Sequence, residues 1–527
     1  MNRTFTLRAI VSNDQWLSDV PRPALMHISF LVVIAFATFK YVQAKTSPLN
    51  ALPTVGYSGI LTSYITAYQY MSSGPAFLQE GYDKASFGGK PFKIATFARW
   101  LVVLSGRKYI QDLASASDEV ISIAKPTIEN NQADFTFGRE LLEDPYHITT
   151  IRGPITRNLV TKFNDINDEV MHSFKEYLKG TDQDWITVTG YETLLHLMCR
   201  TSNRFFVGPE LCRNPRYQDL SERMAHEIVT AASTIALFPR FLKPAASILL
   251  TRIKGMIDEC REFLEPMIAE RLQKYERNEL NSAKDERVND ILSWFIETSS
   301  KEYHRTIQDL IRRVVMTNVA SLHASTMVLA QGIYDLAVHP EYIKEMREEA
   351  ERIINEHGWT KSALHKLRKI DSFLKESHRL NSVSHYLMVR ETLQDFTLSD
   401  GTLLSRGTHV GIASGPINTS EEYFQDADTF KAFRFAEMRE GDGEYDPIRY
   451  QLVSLNPDSV MFGHGKHACP GRFMAVTMIK LILTHILLEY DIQLENGSME
   501  RPPNICSGIM IIPNREAKLM FRRRACP

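Results

Sequence analysis

Neither sign of charge dominates this sequence: 61 Lys and Arg stand against 63 Asp and Glu in 527 residues, a formal net charge of −2. A nucleic-acid groove needs a clear excess of Lys and Arg, so nucleic acid is excluded as a partner. Cysteine is scarce as well. The six, at 199, 212, 260, 469, 506 and 526, form no C-x-x-C pair. That excludes a disulfide scaffold and argues against a zinc site of paired thiolates. From Tyr64 onward no internal repeat or low-complexity break divides the chain. No Gly-rich turn opens a βαβ unit, so a dinucleotide fingerprint is missing. What is present is ordinary for a folded protein, 44% hydrophobic and 24% charged residues. Disorder, a collagen-like rod and a multi-span membrane protein are excluded. At about 150 residues per domain the length suggests several domains, yet residues 64–527 read as one unit, large for a single core.

The amino terminus differs from the rest. Residues 1–23 read as a tail and 24–43 as a membrane anchor helix. Sixteen residues from Ala24 to Phe39 carry no formal charge, and Tyr41 and Val42 extend the run past Lys40. A span needs about 17–25 residues, and Lys40 can snorkel to the headgroups. A buried core helix or a signal peptide are the alternatives, but no A-x-A-like cleavage site follows. Arg8 and Arg22 before the run, and Lys40 and Lys45 after it, leave the orientation tied on charge. Asn2-Arg3-Thr4 is a glycosylation sequon, usable only if that end is lumenal. Pro48, Pro53 and Gly56 make 44–63 a stiff, extended linker.

The remainder predicts a mainly α protein with small β-sheets (α+β). Apolar residues at Ile307, Leu310, Ile311, Val314, Val315, Val319 and Leu322 recur near a 3.6 period, giving a helix from Arg305 to His339 that Pro340 stops. At 1.5 Å per residue it is a rod of roughly 50 Å, long enough to cross a domain. Shorter helices are expected at Glu341–Ile354 and Ser372–Leu380, and a last one from Arg472 to Leu488. Between them, β-formers alternate with Asp400-Gly401 and Arg406-Gly407, which are hairpin signals.

One stretch carries chemistry: MFGHGKHACPGRFMA, Met461 to Ala475. Glycines 463, 465 and 471 let backbone turn tightly and approach a flat ligand. Pro470 fixes φ at a helix start, where the macrodipole favours a thiolate on Cys469. A thiolate offered from such a loop suits haem iron. A buried structural cysteine is the competing reading of any lone Cys.

Phe462-Gly463-x-Gly465-x-His467-x-Cys469-Pro470-Gly471 resembles the haem-binding loop of the cytochrome P450 family, with His467 where Arg is usual. The resemblance, of a fungal secondary-metabolism type, covers residues 45 to 527. It implies haem b, Cys469 as the axial iron ligand, and His467 at a haem propionate. Upstream, Glu376 and Arg379 match the family's Glu-x-x-Arg pair, and Phe430–Phe435 resembles the segment whose Arg434 locks onto Glu376. These three are expected to be structural. On the long helix, Ala320-Ser321-Leu322-His323-Ala324-Ser325-Thr326 is similar to the distal motif, with Ala324 where an alcohol usually helps deliver protons. His323, Ser325 or a water would take that task, and one of Ser325 and Thr326 packs in the helix core. Arg152, with Arg157 as competitor, and Arg390 match propionate arginines. Asn203 to Asn214 resembles a segment of fungal members. Family topology puts Ala320, Ala324, Val383, Ser384 and Ile509 around a substrate pocket.

The resemblance implies a monooxygenase using dioxygen and NADPH electrons from a separate reductase, with cytochrome b5 as a further partner. The substrate would be lipophilic, a terpenoid, indole-diterpene or meroterpenoid first. The enzyme would sit on the endoplasmic reticulum by one span, with its catalytic domain cytosolic. Without the alcohol at 324, desaturation, ring formation or oxidative coupling of a polyketide or aromatic substrate is the alternative. A haem sensor or carrier without turnover is the non-enzyme alternative.

Overall fold

The computed structural model describes residues 45–84, 88–180, 184–281, 284–285, 288–441 and 448–524. Residues 24–43, where the sequence puts an anchor, lie outside them. Among the described residues no helix is long and apolar enough to cross a membrane.

Seven helices matter for the site: α1 (Ser63–Asp83), α2 (Gly190–Cys212), α3 (Pro215–Ala236), α4 (Ile253–Glu276), α5 (Ile307–Val338), α6 (Arg368–Leu380) and α7 (Arg472–Glu489). The long rod starts two residues later than its pattern. The Thr306 side chain accepts from the Asp309 N–H, with Asp309 in the first turn, and this cap sets the boundary. Helices α2, α3, α4 and α7 pack on α5, and Trp294, Leu310, Leu329 and Ile333 are fully buried in the shared core.

Helix α6 begins at Arg368, earlier than Ser372. The Glu349 carboxylate accepts the backbone N–H groups of Arg368, Lys369 and Ile370 at 2.8–3.2 Å. Those orphan donors of a helix start are capped by a residue of the neighbouring helix Ile343–His357. Helix α7 starts at the predicted residue.

The largest sheet has six strands in the order Thr54–Val55, Phe92–Ala95, Trp100–Leu104, His409–Ala413, Tyr386–Thr392, Ile121–Ser122. Its first strand comes from the segment read as a linker. Val55 is fully buried and Thr54 pairs with Lys93, so the apolar valine ties this stretch into the sheet. Gly401 and Gly407, at φ +86° and +84°, make the two predicted turns. A three-stranded sheet joins Tyr490–Leu494, Lys518–Arg523 and Ile186–Thr189. A separate hairpin pairs Ile505–Ser507 with Met510–Ile512. The architecture is helix-rich with small sheets, as the composition of its segments predicts.

Candidate active site around Cys469

The loop before α7 is shaped by two left-handed glycines, Gly463 (φ +71°) and Gly465 (φ +67°). A Cβ on Gly465 would lie 2.9 Å from the Ala114 Cβ, so the backbone nests against the helix Arg107–Ser115. The Cys469 N–H donates to the Phe462 carbonyl at 2.8 Å and closes the turn. Beyond it Gly471 caps α7, and a Cβ there would meet nothing within 4 Å. The Cys469 sulfur is part-buried. Burial pushes its thiol up, while the N–H groups of Gly471 and Arg472 and the Arg472 charge oppose this. A metal cation would favour the thiolate further.

Behind the loop, Phe462 meets the His378 ring edge-to-face, centroids 5.9 Å apart. On the same helix, Arg379 Nε and Nη2 each donate to Glu376 at 2.8 Å. Arg434 Nε donates to Glu376 Oε1 at 3.0 Å, joined by the Lys431 N–H. The spare donors of Arg379 reach the Asn418 and Ala427 carbonyls, and those of Arg434 the Gln425, Asp426 and Thr429 carbonyls. Glu376 and Arg379 have no exposed side-chain surface. The structure thus brings together all three residues read as structural, with no group left free for chemistry.

Helix α5 is buried along most of its length, yet Ala320 and Ala324 are exposed at mid-helix. Two exposed alanines one turn apart, on a helix enclosed by others, mark an open space. His323 beside them is part-buried. Burial pushes its imidazole pKa down, and the charges of Arg515 and His226 act in the same direction. Ser325, read as a proton donor, is 3% exposed on the packed side of the helix; Thr326 is fully buried, and its hydroxyl lacks a partner. The helical period, 100° per residue, turns Ser325 away from the stripe of Ala320 and Ala324.

Arg390 is 2% exposed; its Nη1 donates to the Val389 carbonyl at 2.9 Å and its Nε has no partner. No carboxylate among the described residues lies within ion-pair distance, and burial pulls its pKa down to about 10 against the pull of Asp118. A β-bulge between Leu387 and Arg390, with Met388 at φ +54°, shifts the register of this strand against His409–Ala413. A buried guanidinium without a counter-ion fits a carboxylate-bearing ligand. His467 Nε2 lies 2.6 Å from Asp118 Oδ1, and the Lys466 ammonium 3.1 Å from the same oxygen. Asp118 therefore joins His467 and Lys466; nothing in its local sequence, SASDEV, signalled it.

Arg152 reaches the cysteine loop itself. It stands in a π-helical turn, Ile151–Ile155, and donates to the Lys466 carbonyl. It helps line a cavity of about 270 Å³ with Lys466, Pro470, Arg472 and Phe473. Ser384 is likewise not turned to open space: it is buried, and its hydroxyl donates to the Tyr386 carbonyl at 3.0 Å. Its neighbour Val383 and the hairpin residue Ile509 are part-buried, and backbone bonds Ile511 N to Val383 O and His385 N to Ile509 O join the two segments.

Elsewhere, Glu129, Glu391 and His409 bring three ligand atoms within 4.8 Å of one another. Arg99 and Lys125 already pair with them, so this cluster has its cations. The residues around Cys469 instead fit a haem: a sulfur ligand on a loop, an unpaired buried arginine for a carboxylate, and an open stripe on a helix packed against α7.

The family model "Cytochrome P450" matches residues 82–521. Cytochrome P450 monooxygenase 151 of Postia placenta is 37% identical over 497 residues, 94% of this chain and 97% of that protein. Cytochrome P450 monooxygenase 103 of the same fungus is 34% identical, covering 94% and 98%. Cytochrome P450 monooxygenase CYP512U6 of Ganoderma lucidum is 30% identical, covering 90% and 92%. With a glycine-shaped cysteine loop, a buried Glu-Arg-Arg network and near full-length similarity to these fungal enzymes, the chain belongs to the cytochrome P450 family and is a monooxygenase.

Proposed function

We propose that this enzyme oxidises a lipophilic intermediate of secondary metabolism, a terpenoid, indole-diterpene or meroterpenoid in the first instance. Electrons come from NADPH through a separate cytochrome P450 reductase, with cytochrome b5 as a further donor. When bound, haem b supplies the oxidising chemistry, in which one atom of O2 enters a C–H bond, the other leaves as water, and two electrons and two protons are consumed. Cys469 would offer the sulfur that ligates the iron. Arg390 and His467 would supply donors for the two haem carboxylates. Ala320 and Ala324 would leave space beside the bound haem, and His323, whose pKa burial lowers, would relay protons there.

The cavity beside Arg152, Lys466 and Arg472 offers cationic groups close to the sulfur loop, which suits an acidic electron-donor protein. We assign the enzyme to the endoplasmic reticulum membrane, anchored through residues 24–43 with its catalytic part cytosolic. Exposed apolar side chains support a lipid seat: Leu61, Tyr64, Ile65 and Tyr68 at the start of α1, and Leu237, Phe241, Ile248 and Leu249 after α3.

The observation that carries the reading is the Cys469 loop, closed by its own N–H on the Phe462 carbonyl and presenting sulfur at the start of α7. Its test compares metabolites of a host expressing the chain with one expressing Cys469→Ala. A product found only with the unaltered chain is expected; identical profiles would remove the catalytic claim. A second reading has one observation in its favour. Ala324 lacks a hydroxyl and Ser325 faces the packed side, so desaturation, ring formation or oxidative coupling is the alternative outcome.

A further inference from the structure

A closed ring of five polar side chains lies between the end of α5 and the hairpin of Ile505–Ser507 and Met510–Ile512. Arg501 donates through Nε to Asp335 Oδ1 and through Nη2 to Gln331 Oε1. Gln331 Nε2 donates to Asn504 Oδ1 at 2.9 Å, Asn504 Nδ2 to Asn381 Oδ1 at 2.9 Å, and Asn381 Nδ2 to Asp335 Oδ2 at 3.2 Å. Ser377 adds a bond to the same oxygen. Each amide has its carbonyl and its NH2 end assigned by the ring, so none can flip without losing two bonds. Asp335 and Gln331 belong to α5, Ser377 to α6, and Asn381 caps α6. Arg501 and Asn504 lie on the strand of chain that enters the hairpin at the next residue, Ile505.

The tip of the hairpin is held separately. The Gly508 N–H, at φ +58°, donates to the Met71 carbonyl of α1 at 2.6 Å. Helix α1 is kinked at Ser73, and a Cβ on Gly74 would lie 2.2 Å from the Gly508 carbonyl oxygen. One edge is held as well, by the bridge from Ser384 to Met510. A two-stranded hairpin is marginal alone, and this one exposes Ile505, Cys506, Ser507 and Met510. Its own side chains contribute little burial, yet it is fixed at base, edge and tip. An ion pair of buried Asp335 with part-buried Arg501 adds little net stability, but it can select one arrangement.

We propose that Asp335 and Arg501 are positioning residues that hold the 505–510 hairpin as one wall of the substrate chamber, and so decide how a bulky ligand is seated over the haem. This rests on the function proposed above. Asp335→Asn would turn an NH2 towards donors that now meet an oxygen. Arg501→Lys keeps the charge but not the fork. Gly74→Ala leaves the ring intact and drives a methyl into the Gly508 carbonyl.

The test uses the full-length, haem-loaded protein, with 4-phenylimidazole as a bulky iron ligand and cyanide as a small one, both titrated by the Soret shift. Asp335→Asn and Gly74→Ala are expected to weaken 4-phenylimidazole about tenfold while cyanide binding stays unchanged, with Arg501→Lys intermediate. Amide exchange at Gly508 should speed up in all three. If both ligands weaken equally, or neither does, the hairpin is not a positioned wall and the proposal falls. Should Asp335→Asn fail to fold, Arg501→Lys decides, with Gly74→Ala as the independent check at the hairpin tip. Loss of the carbon monoxide band in the unaltered protein would instead overturn the function itself.

Discussion

On the Cys469 side of this enzyme, charge is buried and answered. Glu376 accepts from two guanidinium groups and a backbone N–H, and the remaining donors of Arg379 and Arg434 end on five carbonyls. On the α5 side the residues are small or sparingly bonded: Ala320 and Ala324 are exposed, and Thr326 has an unpartnered hydroxyl. The first region has one arrangement its hydrogen bonds permit. The second is defined by the space it leaves. Chemistry common to a whole family can be built on the first; choice of substrate belongs to the second.

The largest effect that would break this comparison is expected from Glu376→Ala. It strands Arg379 and Arg434 in a dry interior, at a cost of about 3–5 kcal/mol. Soluble, pigment-loaded protein should be lost, by haem absorbance and urea titration; a variant as stable as the parent would mean the network is dispensable. Next comes Arg390→Ala, which removes the unpaired buried cation. Haem retention after gel filtration should fall several-fold, with Arg390→Lys in between; equal retention would show that Arg390 meets no carboxylate.

A smaller effect is expected at Ala324. Ala324→Thr adds a hydroxyl to the open stripe and should lower hydrogen peroxide release per NADPH consumed. No change would mean that residue 324 is not where protons are handed on. The smallest concerns Lys375, 1% exposed beside Glu376, whose pKa burial lowers from 10.5 to about 7. A base with a depressed folded pKa leaves the unfolded chain binding more protons between those values, so stability should rise as pH goes from 7 towards 10. The urea midpoint should follow this trend in the parent and less in Lys375→Met. Parallel slopes would put the charge elsewhere.

The same contrast decides what the sequence could reveal. Gly463, Gly465 and Cys469 were readable because a left-handed turn and a metal ligand admit few residue types, and Glu376, Arg379 and Arg434 because a buried fork needs that pairing. The long helix was readable from its period and its Pro340 stop. Asp118, Glu349 and the ring around Asp335 were not, because their partners lie 19 to 349 residues away in the chain. Ser384 is placed by family position, and local geometry turns its hydroxyl to a backbone carbonyl instead. Strand Thr54–Val55 was read as linker because Pro and Gly flank it, although its pairing is set by Phe92–Ala95.

The account's central claim is a sulfur–iron bond from Cys469. Full-length protein is reduced with dithionite, exposed to carbon monoxide, and its difference spectrum recorded beside that of Cys469→His. The red-shifted Soret band of a thiolate-ligated haem is expected in the parent alone. A folded, haem-loaded parent without that band, or a Cys469→His variant that keeps it, would contradict the account.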